Sequence, residues 1–132
     1  MAEFIFKDLV KKSGRENEFY VSSAATSCEE LGNPVHYGTK RILNSLGIDC
    51  SAKRAVRMAK EDYNRFDLLI VMDSNNLRNT LRITGGDPDA KIHKLMDYVS
   101  GGDVADPWYT GDFDATYNDI LAGCSALLSS IK

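Results

Sequence analysis

The apolar positions change period several times along the chain, and each change marks an element. From Met1 to about Lys12 they recur at helical spacing. Met1, Ile5 and Leu9 share one line, Phe4 and Val10 lie beside it, and Glu3, Lys7, Asp8 and Lys11 take the other faces. Gly14 follows where a helix stop is expected. Phe19 to Ser23 predicts a short strand, and Ser27 with Glu30 has capping-box spacing. A second helix is predicted from Val35 to Leu46, entered through Asn33-Pro34 and ended by Gly47. Ile48 to Met58 has no clear period, and Lys60 to Phe66 reads as a short helix. Leu68 to Met72 is a continuous apolar run, as in a parallel strand covered on both faces. Asp73-Ser74-Asn75-Asn76 supplies cap residues for a helix near Leu77 to Ile83, and Gly85-Gly86-Asp87-Pro88 breaks the chain. Lys91 to Tyr98 reads as a strand with a competing helical pattern. Asp114 to Ile131 is a long helix with Tyr117, Ile120, Leu121, Cys124, Leu127, Leu128 and Ile131 on one side.

Helices alternating with apolar strands indicate a three-layer α/β fold around a parallel sheet. No repeat, low-complexity stretch or linker interrupts the 132 residues, so residues 1–132 are read as one domain. Its 43% hydrophobic content is enough for a real core. The net charge of −3, with signs interspersed, carries no electrostatic footprint for nucleic acid. No apolar run approaches a membrane span and no leader pattern opens the chain, so neither membrane nor secretion is expected. Cys28, Cys50 and Cys124 are odd in number and widely spaced, which points to a reducing cytoplasm. His36 and His93 stand apart from each other and from the cysteines, so neither a metal nor another cofactor is expected.

Several short motifs carry chemistry. In Asp106-Pro107-Trp108-Tyr109, a carboxyl beside apolar rings can hold a proton for a leaving group, Pro107 stiffens the loop, and the rings can wall a slot for a flat group. The alternative is a turn with two packing aromatics. Ser22-Ser23-Ala24-Ala25-Thr26 follows a strand, where open α/β sheets bind ligands, although taken alone it reads first as ordinary strand-end turn chemistry. Asp73 is a helix cap or a partner for a ligand-loop arginine. Lys53, Arg54 and Arg57 form a solvated face or meet an acidic partner. Gly85-Gly86-Asp87 lacks the phosphate-loop pattern and reads as a helix stop. A thiolate that attacks phosphate needs backbone N–H groups around the anion and an arginine on its oxygens, in the form Cys-x5-Arg. Six positions after Cys28, Cys50 and Cys124 stand Pro34, Val56 and Ser130, so no cysteine here has that form.

Taken in order and spacing, these pieces resemble the low-molecular-weight protein tyrosine phosphatases from Met1 to the last helix. The resemblance is carried by Met1-Ala2-Glu3-Phe4, Val21-Ser22-Ser23-Ala24-Ala25-Thr26-Ser27, Gly32-Asn33-Pro34, Gly47-Ile48, Lys60-Glu61-Asp62-Tyr63, Phe66-Asp67, Met72-Asp73-Ser74-Asn75-Asn76-Leu77-Arg78 and Asp106-Pro107-Trp108-Tyr109. It implies a twisted, mostly parallel four-stranded sheet flanked by helices. It also implies metal-free hydrolysis of phosphotyrosine proteins through a cysteinyl-phosphate. By resemblance Asp106 matches the general acid, Trp108 and Tyr109 the rim of the substrate slot, and Ser23 a serine supporting the phosphate loop. Lys53 falls where many members place a supporting histidine.

The family's Cys-x5-Arg-Ser, followed by Pro, would precede a segment like Met1-Ala2-Glu3. The expectation is therefore a chain shortened by one interior strand and one loop, on the order of 15 residues. Such a chain is expected to be inactive by itself, with a sheet gap that invites re-pairing or self-association. The other readings are a non-catalytic phosphoprotein-binding module, a phosphoarginine phosphatase, and an arsenate reductase on the same fold.

Overall fold

A computed structural model describes residues 1–26, 37–51, 53, 56–104 and 111–131. The first helix, α1, spans Ala2–Lys12, with Glu3 in its first turn and Lys11 and Lys12 in its last, each sign favourable to the helix dipole. Beyond it Gly14 has φ +75°, a left-handed turn that glycine adopts without strain. Then come α2 (Tyr37–Ser45), α3 (Asp62–Arg65), β1 (Leu69–Val71), α4 (Ser74–Thr84), β2 (Ile92–Lys94) and α5 (Phe113–Ser130).

Strands β1 and β2 are parallel, with Leu69 opposite Ile92, Ile70 opposite His93 and Val71 opposite Lys94. Alternation along β1 sorts its side chains into two layers. Val71, with Leu69, packs with Tyr63, Ile92, Leu77 and Leu81 on the α4 side. Ile70 and Met72 pack against the larger core, built from Ile5, Phe6 and Val10 of α1, Leu43 of α2, and Ile120, Cys124 and Leu127 of α5. Helices on both faces of a parallel sheet make the α/β class, as expected.

Three sequence expectations need correction. Phe19 to Ser23 forms no strand among the described residues. Phe19 is extended (φ −130°, ψ 138°), and the first pairing beyond it is a single parallel bridge between Ala25 and Arg57. An extended segment without a neighbouring edge has no ladder to join. Among the described residues the sheet therefore has two strands, β1 and β2, besides that bridge. Lys91 to Tyr98 splits into β2 and a 3₁₀ turn, Leu95–Tyr98. A strand would send Leu95 and Met96 to opposite faces, whereas the turn brings both into one core. Glu3 is not on an outer face: it is only 7% exposed.

The α5–turn contact depends on one glycine. A methyl group at Gly123 would lie 2.5 Å from Leu95 Cγ, so Leu95, itself only 1% exposed, would have to shift. Alanine would gain at most about 1 kcal/mol of helix propensity. Overpacking a closed core typically destabilises by about 1–3 kcal/mol. Overpacking wins, so Gly123→Ala is expected to lower the urea midpoint; an unchanged or raised midpoint would show that Leu95 can repack.

Candidate functional site

A cleft of about 1240 Å³ lies between the extended segment 19–26 and β1. Ala2 and Phe6 of α1, Ile120 and Cys124 of α5, and Asn76 and Thr80 of α4 reach it from the two helical layers. Among the described residues, no backbone–backbone hydrogen bond involves 19–24. The Tyr20 and Phe66 rings, both of which line the cleft, stack with centroids 5.9 Å apart.

The carboxyl end of β1, where open α/β sheets bind ligands, is tightly organised. The Asp73 side chain caps α4 by accepting the Asn76 N–H at 2.7 Å. Asn76 Oδ1 accepts the Met72 N–H at 3.4 Å, and Met72 O accepts the Val104 N–H at 2.8 Å. Val104 is buried, and Asp112 caps α5 through the Ala115 N–H at 2.9 Å. The chain on either side of 105–110 is thus fixed, one end at the tip of β1 and the other at the start of α5. Asp106, Trp108 and Tyr109 lie outside the described residues, as do Cys28 and His36.

Ser23, the remaining expected site residue, is described and lines the cleft. Its Oγ donates to Glu3 Oε1 at 2.7 Å. Lys53 Nζ donates to the same Glu3 oxygen at 2.9 Å and to the Ser23 carbonyl at 3.3 Å. Lys7 Nζ, one turn along α1, donates to Glu3 Oε2 at 2.9 Å. A single buried carboxylate therefore joins α1, the segment bearing Ser23 and the segment bearing Lys53. Burial alone would raise the Glu3 carboxyl, but the hydrogen bonds from Lys53, Ser23 and Lys7 outweigh it and hold it at about 2.

Sequence reasoning passed over this carboxylate. The Glu3–Lys7 spacing of four residues was the available signal, but that pattern is common on solvated faces. Lys53, read as part of a solvated basic face or a contact for an acidic partner, instead pairs with Glu3.

The depressed carboxyl makes stability pH-dependent. The unfolded group titrates near 4.5 and the folded one at about 2. Its contribution is therefore fully present above pH 4.5 and lost as the pH falls toward 2. A difference of that size is worth roughly 3 kcal/mol. Urea midpoints between pH 5 and pH 2 should fall steeply in the wild type and less steeply in Glu3→Gln. Parallel slopes would mean that Glu3 does not govern this limb.

Burial pushes the Cys124 thiol up to about 12, which excludes it as a thiolate nucleophile near neutrality. Among the described residues no group of three metal-ligating side chains occurs, and no helix is long and apolar enough to cross a membrane.

With this geometry in place, comparison with known proteins is informative. The whole chain, residues 1–132, matches the family described as low molecular weight phosphotyrosine protein phosphatase. It is 38% identical to the low molecular weight protein-tyrosine-phosphatase YfkJ of Bacillus subtilis over 135 aligned residues, covering all of this chain and 86% of the relative. It is 34% identical to the low molecular weight phosphotyrosine protein phosphatase of Gallus gallus, covering 97% of this chain and 84% of that one. The crystal structure of YfkJ superposes with a TM-score of 0.94, covering 98% of this chain and 84% of YfkJ. The Streptococcus pyogenes low molecular weight protein tyrosine phosphatase superposes at 0.88 with 36% identity, covering 99% of this chain and 83% of that one.

Proposed function

The chain belongs to the low-molecular-weight phosphotyrosine protein phosphatase family, and on that footing we propose that it is the scaffold of a phosphatase acting on phosphotyrosine proteins, with its nucleophile on a strand seated in the cleft. The observation that carries this reading is the end-to-end family match, residues 1–132, together with an open cleft beside Ser23 and the tip of β1. These 132 residues contain no Cys-x5-Arg. The strand and its loop, placed before Met1, would supply both the thiolate and the arginine.

The reaction runs in two displacements. The thiolate attacks phosphorus, so a sulfur–phosphorus bond forms as the bond to the tyrosyl oxygen breaks. Asp106 gives its proton to the departing phenolate. Water then attacks the cysteinyl-phosphate, the sulfur–phosphorus bond breaks, and Asp106 takes the water's proton. Trp108 and Tyr109 flank the phenyl ring, and Ser23 supports the phosphate loop from beneath. No metal or other cofactor enters. The two described cysteines, Cys50 and Cys124, are free thiols, which suits the reducing cytoplasm.

The test compares substrates. A form of this chain extended at Met1 by an apolar strand and Cys-x5-Arg-Ser-Pro is offered matched phosphotyrosine, phosphoserine and phosphoarginine peptides. Phosphate release from phosphotyrosine should dominate. Preference for phosphoarginine, or release from none of the three, would overturn the reading.

A further inference from the structure

The chain that enters residues 105–110 is held at two points, one by main chain and one by side chains. The main-chain point is the Val104 N–H on Met72 O at 2.8 Å, beside the tip of β1. One hydrogen bond fixes a position but leaves the chain free to turn about it. The side-chain point is the residue before. Asp103 Oδ1 accepts from Lys94 Nζ, at the end of β2, at 2.9 Å, and from Ser74 Oγ, in the first turn of α4, at 3.3 Å. Lys94 Nζ also donates to Ser74 Oγ at 3.4 Å, which closes the three side chains into a ring. The backbone ahead of Asp103 gives no such direction. Gly101 and Gly102 precede it with φ +82° and +94°, and a glycine pair acts as a joint.

Folding stability does not account for this ring. Asp103 is 44% exposed and Lys94 20%, and ion pairs open to solvent contribute little to stability. The charge arrangement is nonetheless specific. The Asp103 hydrogen bond, with the charges of Asp103, Asp97 and Asp73, holds Lys94 above the ordinary lysine range. Lys94 is thus the cation among three carboxylates at the carboxyl ends of β1 and β2. Without it those carboxylates are left to repel one another, and Asp103 keeps only the Ser74 hydroxyl.

We infer that Lys94, Asp103 and Ser74 anchor the acid loop: they are positioning residues that set the direction in which the chain leaves Val104, and so place Asp106, two positions on, for proton transfer. This deepens the phosphatase reading and rests on it for the role of Asp106. The ring takes no part in the chemistry, and its effect passes through Asp106. A general acid must lie within hydrogen-bond reach of the leaving oxygen, and a displacement of about 1 Å can lower the rate by about 10²-fold.

Two measurements test the inference. The first uses the 132-residue chain itself and follows amide hydrogen exchange by NMR. In Lys94→Met and in Asp103→Ala the Val104 N–H should exchange about tenfold faster. The Leu69 N–H, bonded to Lys91 O between β1 and β2, should keep its rate. Lys94→Arg should leave Val104 near the wild-type rate. An unchanged Val104 rate in Lys94→Met and Asp103→Ala overturns the inference whether or not the phosphatase reading holds. Equal acceleration at Leu69 overturns it too, because the side chains would then serve stability at large.

The second uses the extended form. Lys94→Met and Asp103→Ala should each lower kcat on a phosphotyrosine peptide by about tenfold, with KM little changed. The effect on a nitrophenyl phosphate should be much smaller, because that leaving group needs no proton. In an Asp106→Asn background neither substitution should lower kcat further, since the group they position has already lost its proton. Lys94→Arg should keep most of the rate. Equal losses on the two substrates, or losses that add to that of Asp106→Asn, would overturn the positioning role. An extended form that is inactive with Lys94 and Asp103 intact would instead count against the phosphatase reading, leaving the exchange measurement to decide the anchor.

Discussion

The 132 residues alone should release no phosphate above the buffer blank from a phosphotyrosine peptide, whereas the form extended by a strand and Cys-x5-Arg should turn over at an ordinary enzymatic kcat, about 1–10³ s⁻¹. The reason is chemical. An acid that protonates a leaving phenol accelerates nothing unless a nucleophile and an anion-stabilising group hold the phosphoryl group beside it. Of the cysteines in this chain, none is followed six positions on by arginine, and Cys124 is held protonated by burial. The expected contrast is about 10⁶ or more, since it is the difference between a catalysed and an uncatalysed ester. Strand addition should also raise the thermal midpoint, because the cleft offers main-chain edges and apolar side chains from α1 and α5. Activity without a rise in stability would place the added strand somewhere other than the cleft. Equal activity in the two forms would show that the nucleophile lies within residues 1–132.

Within the extended form, Asp106→Asn should lower kcat on a phosphotyrosine peptide by about 10²–10⁴, with KM little changed. Asparagine keeps the shape and loses the proton. The loss should depend on the leaving group. A phenol of ordinary acidity leaves poorly as its anion and needs the proton, whereas a nitrophenol leaves readily without it. The same substitution should therefore have a much smaller effect with a nitrophenyl phosphate. The pH profile adds a second check: the alkaline fall in kcat that reports the acid should be absent in Asp106→Asn. Equal losses with both leaving groups would remove Asp106 from the proton-transfer role and leave it a structural part of its loop.

Much of the scaffold could be read from the sequence, and particular residues explain where the reading failed. The helices α1, α4 and α5 are long and periodic, and their ends carry local signals such as Gly14, Asp73 and Gly85. Strand β1 was legible because a continuous apolar run between Asp67 and Asp73 has few other solutions in an α/β chain. The segment Phe19 to Ser23 misled because strand propensity is realised only beside a partner edge, and its pairing begins at Ala25. Lys91 to Tyr98 misled because its apolar residues serve two periods in turn, first β2 and then the 3₁₀ turn.

For the site, the motifs located Ser23 but not what it bonds to. A buried Glu3 held by Lys53, 50 positions away, leaves no local pattern. The motif Asp106-Pro107-Trp108-Tyr109 left a proton donor beside a slot and a simple aromatic turn both open, and only the resemblance to a family chose between them; these residues lie outside the described ones. What the structure adds is the fixed chain on both sides of them, at Val104 and Asp112.

The central claim is that a cysteine seated in the cleft carries the phosphoryl group while this chain supplies the acid and the support. It is tested most directly by acid-quenching the extended form during turnover of a phosphotyrosine peptide and locating the phosphate by peptide mass spectrometry. The account predicts phosphate on the cysteine of Cys-x5-Arg, accumulating further in Asp106→Asn when a nitrophenyl phosphate is the donor, because loss of the base then slows hydrolysis more than transfer. Phosphate on Cys28, Cys50 or Cys124, or turnover with no phosphorylated cysteine at all, would contradict it.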